Sequence, residues 1–206
     1  MPKLKVVVTG AAGFLAGRML LTFRDRYELV LLDVRTTNRD GEEVEGVEVC
    51  DLIEPDRDTY RHHFSGADVV VHCGFTRAKL VETPSDNAQS GSSGDIRFQG
   101  RSSNRGGDAR FEAEMANVRM AYNVYQTCVE EGVRRAVVLS SNHAADYYEV
   151  LIWNKQMGGL VTPDMPAYSD NFYGWAKGAY ESLGFTYATG TVSDQKPLEV
   201  VQLRIG

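Results

Sequence analysis

The chain has 206 residues, enough for one α/β domain with a sizeable core and short for two. Charged residues make up 24% and hydrophobic ones 43%, and a formal net charge of −6 without a Lys/Arg cluster argues against a nucleic-acid or anionic-membrane surface. No apolar run nears the roughly 18 residues a membrane span needs, and the N-terminus enters a strand with no signal peptide ahead of it, so the expected location is cytoplasmic.

The first element is an apolar, β-branched strand from Leu4 to Val8, bounded by Thr9-Gly10 and followed at once by a helix-period pattern. Gly10, Gly13 and Gly17 are spaced G-x-x-G-x-x-G: the first permits a tight turn, the second lets backbone approach a pyrophosphate, the third lets helix pack close to strand. Phosphates would sit on the helix N-terminus, where free N–H groups and the dipole favour anions. Glycines also mark ordinary turns, so the second strand matters: Tyr27 to Leu32 ends in Asp33, a carboxylate placed for the hydroxyls of an adenosine ribose. That acid would repel a 2′-phosphate, favouring NAD over NADP, with Arg35 flanking the adenine or solvated.

A polar stretch from Arg35 to Glu45 leads into a short strand, Gly46 to Cys50, and then Asp51-Leu52. Asp51 reads equally as a contact for the adenine amino group or as the cap of a helix over Asp56 to Phe64. His62 and His63 fall in that helix without a partner at metal-ligand spacing, so no metal is expected. Ala67 to Cys73 is nearly all apolar, the mark of a central strand covered on both faces, and its end at Cys73-Gly74-Phe75 would lie beside the cofactor. His72 reads as a core histidine. Cys50, Cys73 and Cys128, odd in number and far apart, read as reduced core thiols.

Pro84 to Asp108 breaks the pattern: of these 25 residues 11 are Gly or Ser, which reads as a lid, a binding loop or a flexible insertion. Arg97, Arg101, Arg105 and Arg110 lie in or beside it, able to clamp an anion but more simply solvated. Ala109 to Glu131 returns to a helix, with Met115, Val118, Tyr122, Tyr125 and Val129 as its apolar stripe and Gly132 closing it. Asn117 sits inside it, unfavourable there without a reason. A strand over Arg135 to Leu139 runs into Ser140-Ser141-Asn142-His143.

Tyr173 and Lys177 share one face at the start of a helical run to about Thr189. A nearby cation favours phenolate, the form a general base needs, and a serine from a strand's carboxyl end could hold the substrate oxygen. A lone Tyr-x-x-x-Lys arises readily by chance, and the plain alternative is a half-buried aromatic beside a solvated lysine.

Together these pieces resemble the extended branch of the short-chain dehydrogenase/reductase superfamily, also called the NAD-dependent epimerase/dehydratase family. The matching segments are Thr9 to Gly17, Asp33, Asp51-Leu52, Val69 to Gly74, Asn117, Ser140 to His143 and Tyr173 to Lys177. The resemblance implies a doubly wound parallel sheet, strand order 3-2-1-4-5-6, with helices on both faces: a Rossmann fold. It implies a tetrad of Asn117, Ser141, Tyr173 and Lys177, with Asn117 holding a proton-relay water. It further implies NAD contacts from Gly10, Ala12, Gly13, Phe14, Leu15, Asp33, Asp51, Leu52, Cys73, Gly74, Tyr173 and Lys177. Within the branch, the SSNH segment is similar to uronate dehydrogenases, which would turn Ser141, Asn142 and His143 toward a sugar or sugar acid. An Asp-Glu pair for 4,6-dehydration is missing. Ala144 to Phe172 is longer and more aromatic than the pattern, and Val200 to Gly206 is similar to the family's sixth strand, after which the resemblance implies a substrate-binding portion, so the expectation is either a fragment or the cofactor half alone. The expectation is an NAD-dependent dehydrogenase, the rivals being a nucleotide-sugar epimerase and a non-catalytic NAD-binding protein. A homodimer paired through the helices carrying Asn117 and Tyr173 is the default assembly.

Overall fold

The computed structural model describes residues 2–76, 107–194 and 196–206 of the chain. Most of the expected insertion, including Arg97, Arg101 and Arg105, lies outside the described residues, and its last two positions, Gly107 and Asp108, open a helix instead. Six strands form one parallel sheet: β1 (Lys5–Thr9), β2 (Glu28–Asp33), β3 (Val47–Val49), β4 (Val69–His72), β5 (Arg135–Ser141) and β6 (Glu199–Ile205), in the order β3-β2-β1-β4-β5-β6. This is the expected Rossmann order. It reverses between β1 and β4, where Thr9 is the register partner of both Leu32 and His72, and a crevice opens there at the carboxyl ends of the strands.

Alternation along β1 explains the two layers. Val6 and Val8 face helix α1 (Phe14–Arg26), packing with Ala16, Leu20, Leu31 and Val71. Val7 faces the opposite side, with Leu32, Val70, Ala136 and Val138, under helices α2 (Gly107–Glu130) and α4 (Phe172–Ala188). Strands covered on both sides need apolar residues at every position, which is why they read as unbroken Val/Leu runs. Cys50 and Cys128 are buried free thiols and Cys73 is half-buried. Among the described residues no helix is long and apolar enough to cross a membrane.

Three elements depart from expectation. The Asp56–Phe64 helix is instead two tight turns, Arg57–Thr59 and Arg61–Phe64. Tyr60 and Phe64, 2% and 0% exposed, anchor the segment to the core, and Asp56, not Asp51, provides the cap by accepting from the Asp58 N–H. The buried face of α2 is wider than the expected stripe: Tyr125 is fully buried and Val118, Tyr122 and Val129 pack against the core, but Met115 is 39% exposed, and Glu114, Asn117, Ala121, Val124 and Cys128, each one position earlier, are buried as well. Polar residues on the inward face hide the phase from a hydrophobic count. They are hydrogen-bonded there, Asn123 Nδ2 to the Leu52 and Glu54 carbonyls and Thr127 Oγ1 to the Asn123 carbonyl. Finally, β5 runs two residues further than expected, to Ser141, because β6 pairs with its whole length.

The crevice depends on Gly10. Its φ of +68° is left-handed, and a Cβ there would lie 2.7 Å from the Gly74 nitrogen. Gly10→Ala should therefore destabilise the chain by at least about 1–2 kcal/mol, the left-handed penalty alone, read as a lowered urea midpoint.

Candidate active site

A cleft of about 880 Å³ runs along the carboxyl ends of the sheet, from Asp33 past Gly10 and Gly13 to Ser141, Tyr173 and Lys177. At its first end the glycine turn closes on itself, Gly13 N–H donating to the Gly10 carbonyl at 2.9 Å. α1 begins at Gly13 with no side-chain cap and no acid in its first turn, leaving its N-terminal N–H groups and dipole to an anion. Phe14 and Leu15 line the cleft, and the guanidinium groups of Arg18 (4.4 Å) and Arg39 (4.1 Å) both pack over the Phe14 ring. Asp33 Oδ2 accepts from the Ala12 N–H at 3.0 Å, and Oδ1 from the Arg35 N–H at 3.3 Å. Ala12, a cofactor contact in what the resemblance implies, is buried and donates its amide to Asp33, fixing the acid to the turn. Cys73 lines the cleft and Gly74 supports it from behind, against Gly10. Asp51 and Leu52 do not line it. Asp51 is exposed and accepts from the Ile53 N–H, and Leu52 is in the core with its carbonyl held by Asn123.

The other end is built by α4 against β5. Asn171 caps α4, its Oδ1 accepting from the Gly174 N–H at 2.8 Å. One turn on, Lys177 is 5% exposed, and its ammonium donates to the Leu139 carbonyl at 3.0 Å. That ammonium stands 5.7 Å from the Tyr173 ring centroid, 5.5 Å from Phe75 and 4.5 Å from Tyr180. Burial pushes the Lys177 ammonium down to about 8, while the Glu114 carboxylate pulls the other way. Ser141, buried at the strand end, accepts from the His143 N–H and donates to Asn142 Oδ1, both at 3.2 Å. Ser140 is committed elsewhere: its hydroxyl donates to Glu181 at 2.7 Å, and Glu181 also pairs with Arg204. Of the two serines, Ser141 is the one available.

The structure brings Ser141, Asn142, His143, Tyr173 and Lys177 together on one cleft with Gly10, Gly13, Phe14, Leu15, Asp33 and Cys73. Asn117 stands behind it. Its Oδ1 accepts from the Thr76 N–H and its Nδ2 donates to the Thr76 carbonyl, both at 2.8 Å, and Nδ2 also reaches Glu114 at 3.2 Å. Both amide hydrogens are used, so the side chain splints the segment after β4, where the resemblance implied a water-holding group. Phe75, which the sequence places beside the cofactor, does line the cleft; sequence reasoning missed Thr76, which lines it too, and Glu114, which is buried beside Asn117. Glu114 was findable: it lies three positions before Asn117 and so on the same helix face.

Two comparisons with known proteins decide the family. The chain is 30% identical over 210 residues to L-arabinose 1-dehydrogenase (NAD(P)(+)) of Haloferax volcanii, a match covering 98% of this chain and 66% of that one. It is 25% identical over 203 residues to uronate dehydrogenase of Pseudomonas syringae pv. tomato, covering 98% of this chain and 58% of that one. The chain belongs to the extended short-chain dehydrogenase/reductase family. No protein-family model matches it. Among solved structures, MoeE5 in complex with UDP-glucose and NAD superposes with a TM-score of 0.64 at 21% identity, over 97% of this chain and 53% of that one. A mutated uronate dehydrogenase gives 0.62 at 22% identity over 98% and 58%, and both likenesses establish the shared fold. The chain thus spans about two thirds or less of the length of the family members it matches.

Beneath this family's cleft lies a buried histidine. His72 is 1% exposed; its Nδ1 meets Thr9 Oγ1 at 2.7 Å, while Nε2 has no hydrogen-bond partner among the described residues. Burial, and then the nearby Lys177 charge, pushes it down to about 3, far below the 6.5 of an exposed imidazole. A depressed folded-state value means the unfolded chain binds the proton first. Stability is therefore complete above pH 6.5 and lost as pH falls toward 3, at about 1.4 kcal/mol per pH unit for one proton. Urea unfolding at stepped pH should show that slope, and His72→Gln should be shallower by one proton.

Proposed function

We propose that the chain binds NAD and supports NAD-dependent oxidation of a sugar or sugar-acid hydroxyl, with Tyr173 as the base. The observation that carries this is the continuous cleft joining the Gly10–Asp33 turn to Ser141, Tyr173 and Lys177. The residues fit a dinucleotide: a turn whose glycine leaves no room for a Cβ, an uncapped helix start for the pyrophosphate, and a carboxylate for the adenosine ribose. When bound, NAD supplies the hydride acceptor. Asp33 beside the turn favours NAD over NADP, although Arg35 and Arg39 line the same end. Lys177, fixed by the Leu139 carbonyl, supplies positive charge beside the phenol and a contact for the nicotinamide ribose. Tyr173 takes the hydroxyl proton, and Ser141, oriented by Asn142 and the His143 N–H, holds the substrate oxygen. Asn142 and His143 face the sugar. The names of the two dehydrogenase relatives, one for L-arabinose and one for uronate, supply the substrate class.

The reading extends to a cytoplasmic homodimer. Phe111 and Met115 of α2 and Phe172 and Trp175 of α4 form an exposed apolar patch in which the Phe111 ring lies 5.7 Å from Phe172 and 5.9 Å from Trp175. A patch of this composition on one pair of helices suits a second copy. Sedimentation should show a dimer that Phe111→Ser with Trp175→Ser converts to monomer; a monomeric parent chain removes this part of the reading.

Assays with L-arabinose and with uronic acids, each with NAD and with NADP, should accumulate reduced cofactor, faster with NAD. Tyr173→Phe should lower kcat by roughly 10²–10⁴, the usual worth of a general base, with NAD affinity within about twofold. Activity equal to the parent removes Tyr173 from the chemistry, and turnover without accumulated NADH favours the epimerase alternative.

A further inference from the structure

His143, Asp146 and Asn171 form a hydrogen-bonded group beside the base, and two of the three have no task in the mechanism above. His143 Nδ1 lies 2.7 Å from Asp146 Oδ2, and Asn171 Nδ2 donates to the same oxygen at 3.0 Å. Asp146, the first residue of α3 (Asp146–Trp153), is 4% exposed. The His143 side chain is 52% exposed, lines the cleft, and meets the Tyr173 ring edge-on with centroids 5.6 Å apart. Asn171 is also the cap of α4. One buried carboxylate therefore joins the imidazole to the first turn of the helix that carries Tyr173. The joint is tight, because a Cβ on Gly174 would collide with the His143 carbonyl.

A carboxylate accepts hydrogen bonds, so an imidazole bonded to it through Nδ1 carries its proton on Nδ1. The neutral ring then offers Nε2 as a bare acceptor, and Nε2 makes no hydrogen bond among the described residues. We infer that Asp146 is a positioning residue: it holds His143 in the Nδ1–H tautomer, so that Nε2 accepts a hydrogen bond from a free hydroxyl of the substrate. This rests on the reading that the cleft takes a sugar, and it sharpens it. The substrate must present a hydroxyl donor to His143, and an analogue lacking that hydroxyl leaves a polar nitrogen unpaired, the arrangement that gives the steepest discrimination.

The direct test is nitrogen-15 NMR of the histidine rings in the 206-residue chain, with the His143 signals identified by their loss in His143→Gln. At about pH 8, above the ordinary histidine range, the parent chain should show Nδ1 protonated and Nε2 bare. Asp146→Leu, similar in size, without an acceptor and checked for folding by circular dichroism, should move most of the proton to Nε2, and Asp146→Glu should keep it on Nδ1. A parent chain with its proton on Nε2, or an unchanged tautomer in Asp146→Leu, overturns the proposal whether or not any sugar is oxidised. In turnover with L-arabinose or D-galacturonate, Asp146→Leu should lose about tenfold or more in kcat/KM, with NAD affinity within about twofold and most activity retained in Asp146→Glu. Unaltered kcat/KM in a variant whose tautomer has switched also overturns it. If the parent oxidises neither sugar, the sugar reading fails, while the NMR result still decides the role of Asp146.

Discussion

The ammonium of Lys177, sealed from water and hydrogen-bonded to the Leu139 carbonyl, sets the position of everything at the reactive end of the cleft. A charge at that depth survives only with fixed partners, and the fold supplies a strand carbonyl, the faces of Tyr180, Phe75 and Tyr173, and the distant counter-charge of Glu114. The same bond ties α4 to the end of β5. It therefore fixes where the Tyr173 phenol stands relative to Ser141, which no local property of either segment could do.

At the opposite end the controlling contact is between backbone and carboxylate. Asp33 is drawn onto the glycine turn by the Ala12 N–H, so the acid and the turn move as one body. Between the two ends, Gly10 and Gly74 touch backbone to backbone, which keeps β1 and β4 close enough for one elongated ligand to cross both. Electrostatics at the ends and sterics in the middle thus define a single groove.

Much of this was legible in the chain itself. The strands announced themselves because a doubly covered parallel sheet tolerates little but Val, Leu and Ile, and the glycine turn because only glycine fits it. Tyr173, Lys177 and Ser141 were legible because their spacing mirrors a helix face and a strand end. What escaped was tertiary. Asn117 and Asn123 are made acceptable inside by partners far along the chain, and Thr127 by the carbonyl one turn before it, so the polar part of the buried face of α2 carries no hydrophobic signal. Asp51, which follows a strand, reads equally as a ligand contact or a helix cap; Asp56 makes the cap, and Asn123 holds the neighbouring Leu52 carbonyl in the core. Asp146 gave no signal beyond its place three residues after His143.

The clasp among Ser140, Glu181 and Arg204 bears on the order in which the groove can come into being. The Ala12–Asp33 bond closes a loop of only 21 residues, whereas Lys177 to Leu139 spans 38 and Ser140 to Glu181 spans 41. Arg204 can grip Glu181 only after β6 has docked beside β5. Since long loops cost more entropy to close, the nucleotide end of the groove is able to assemble early and locally, and the reactive end waits for the last strand. A nascent or truncated chain thus holds its glycine turn and Asp33 together before Tyr173 and Lys177 have a strand end to stand against.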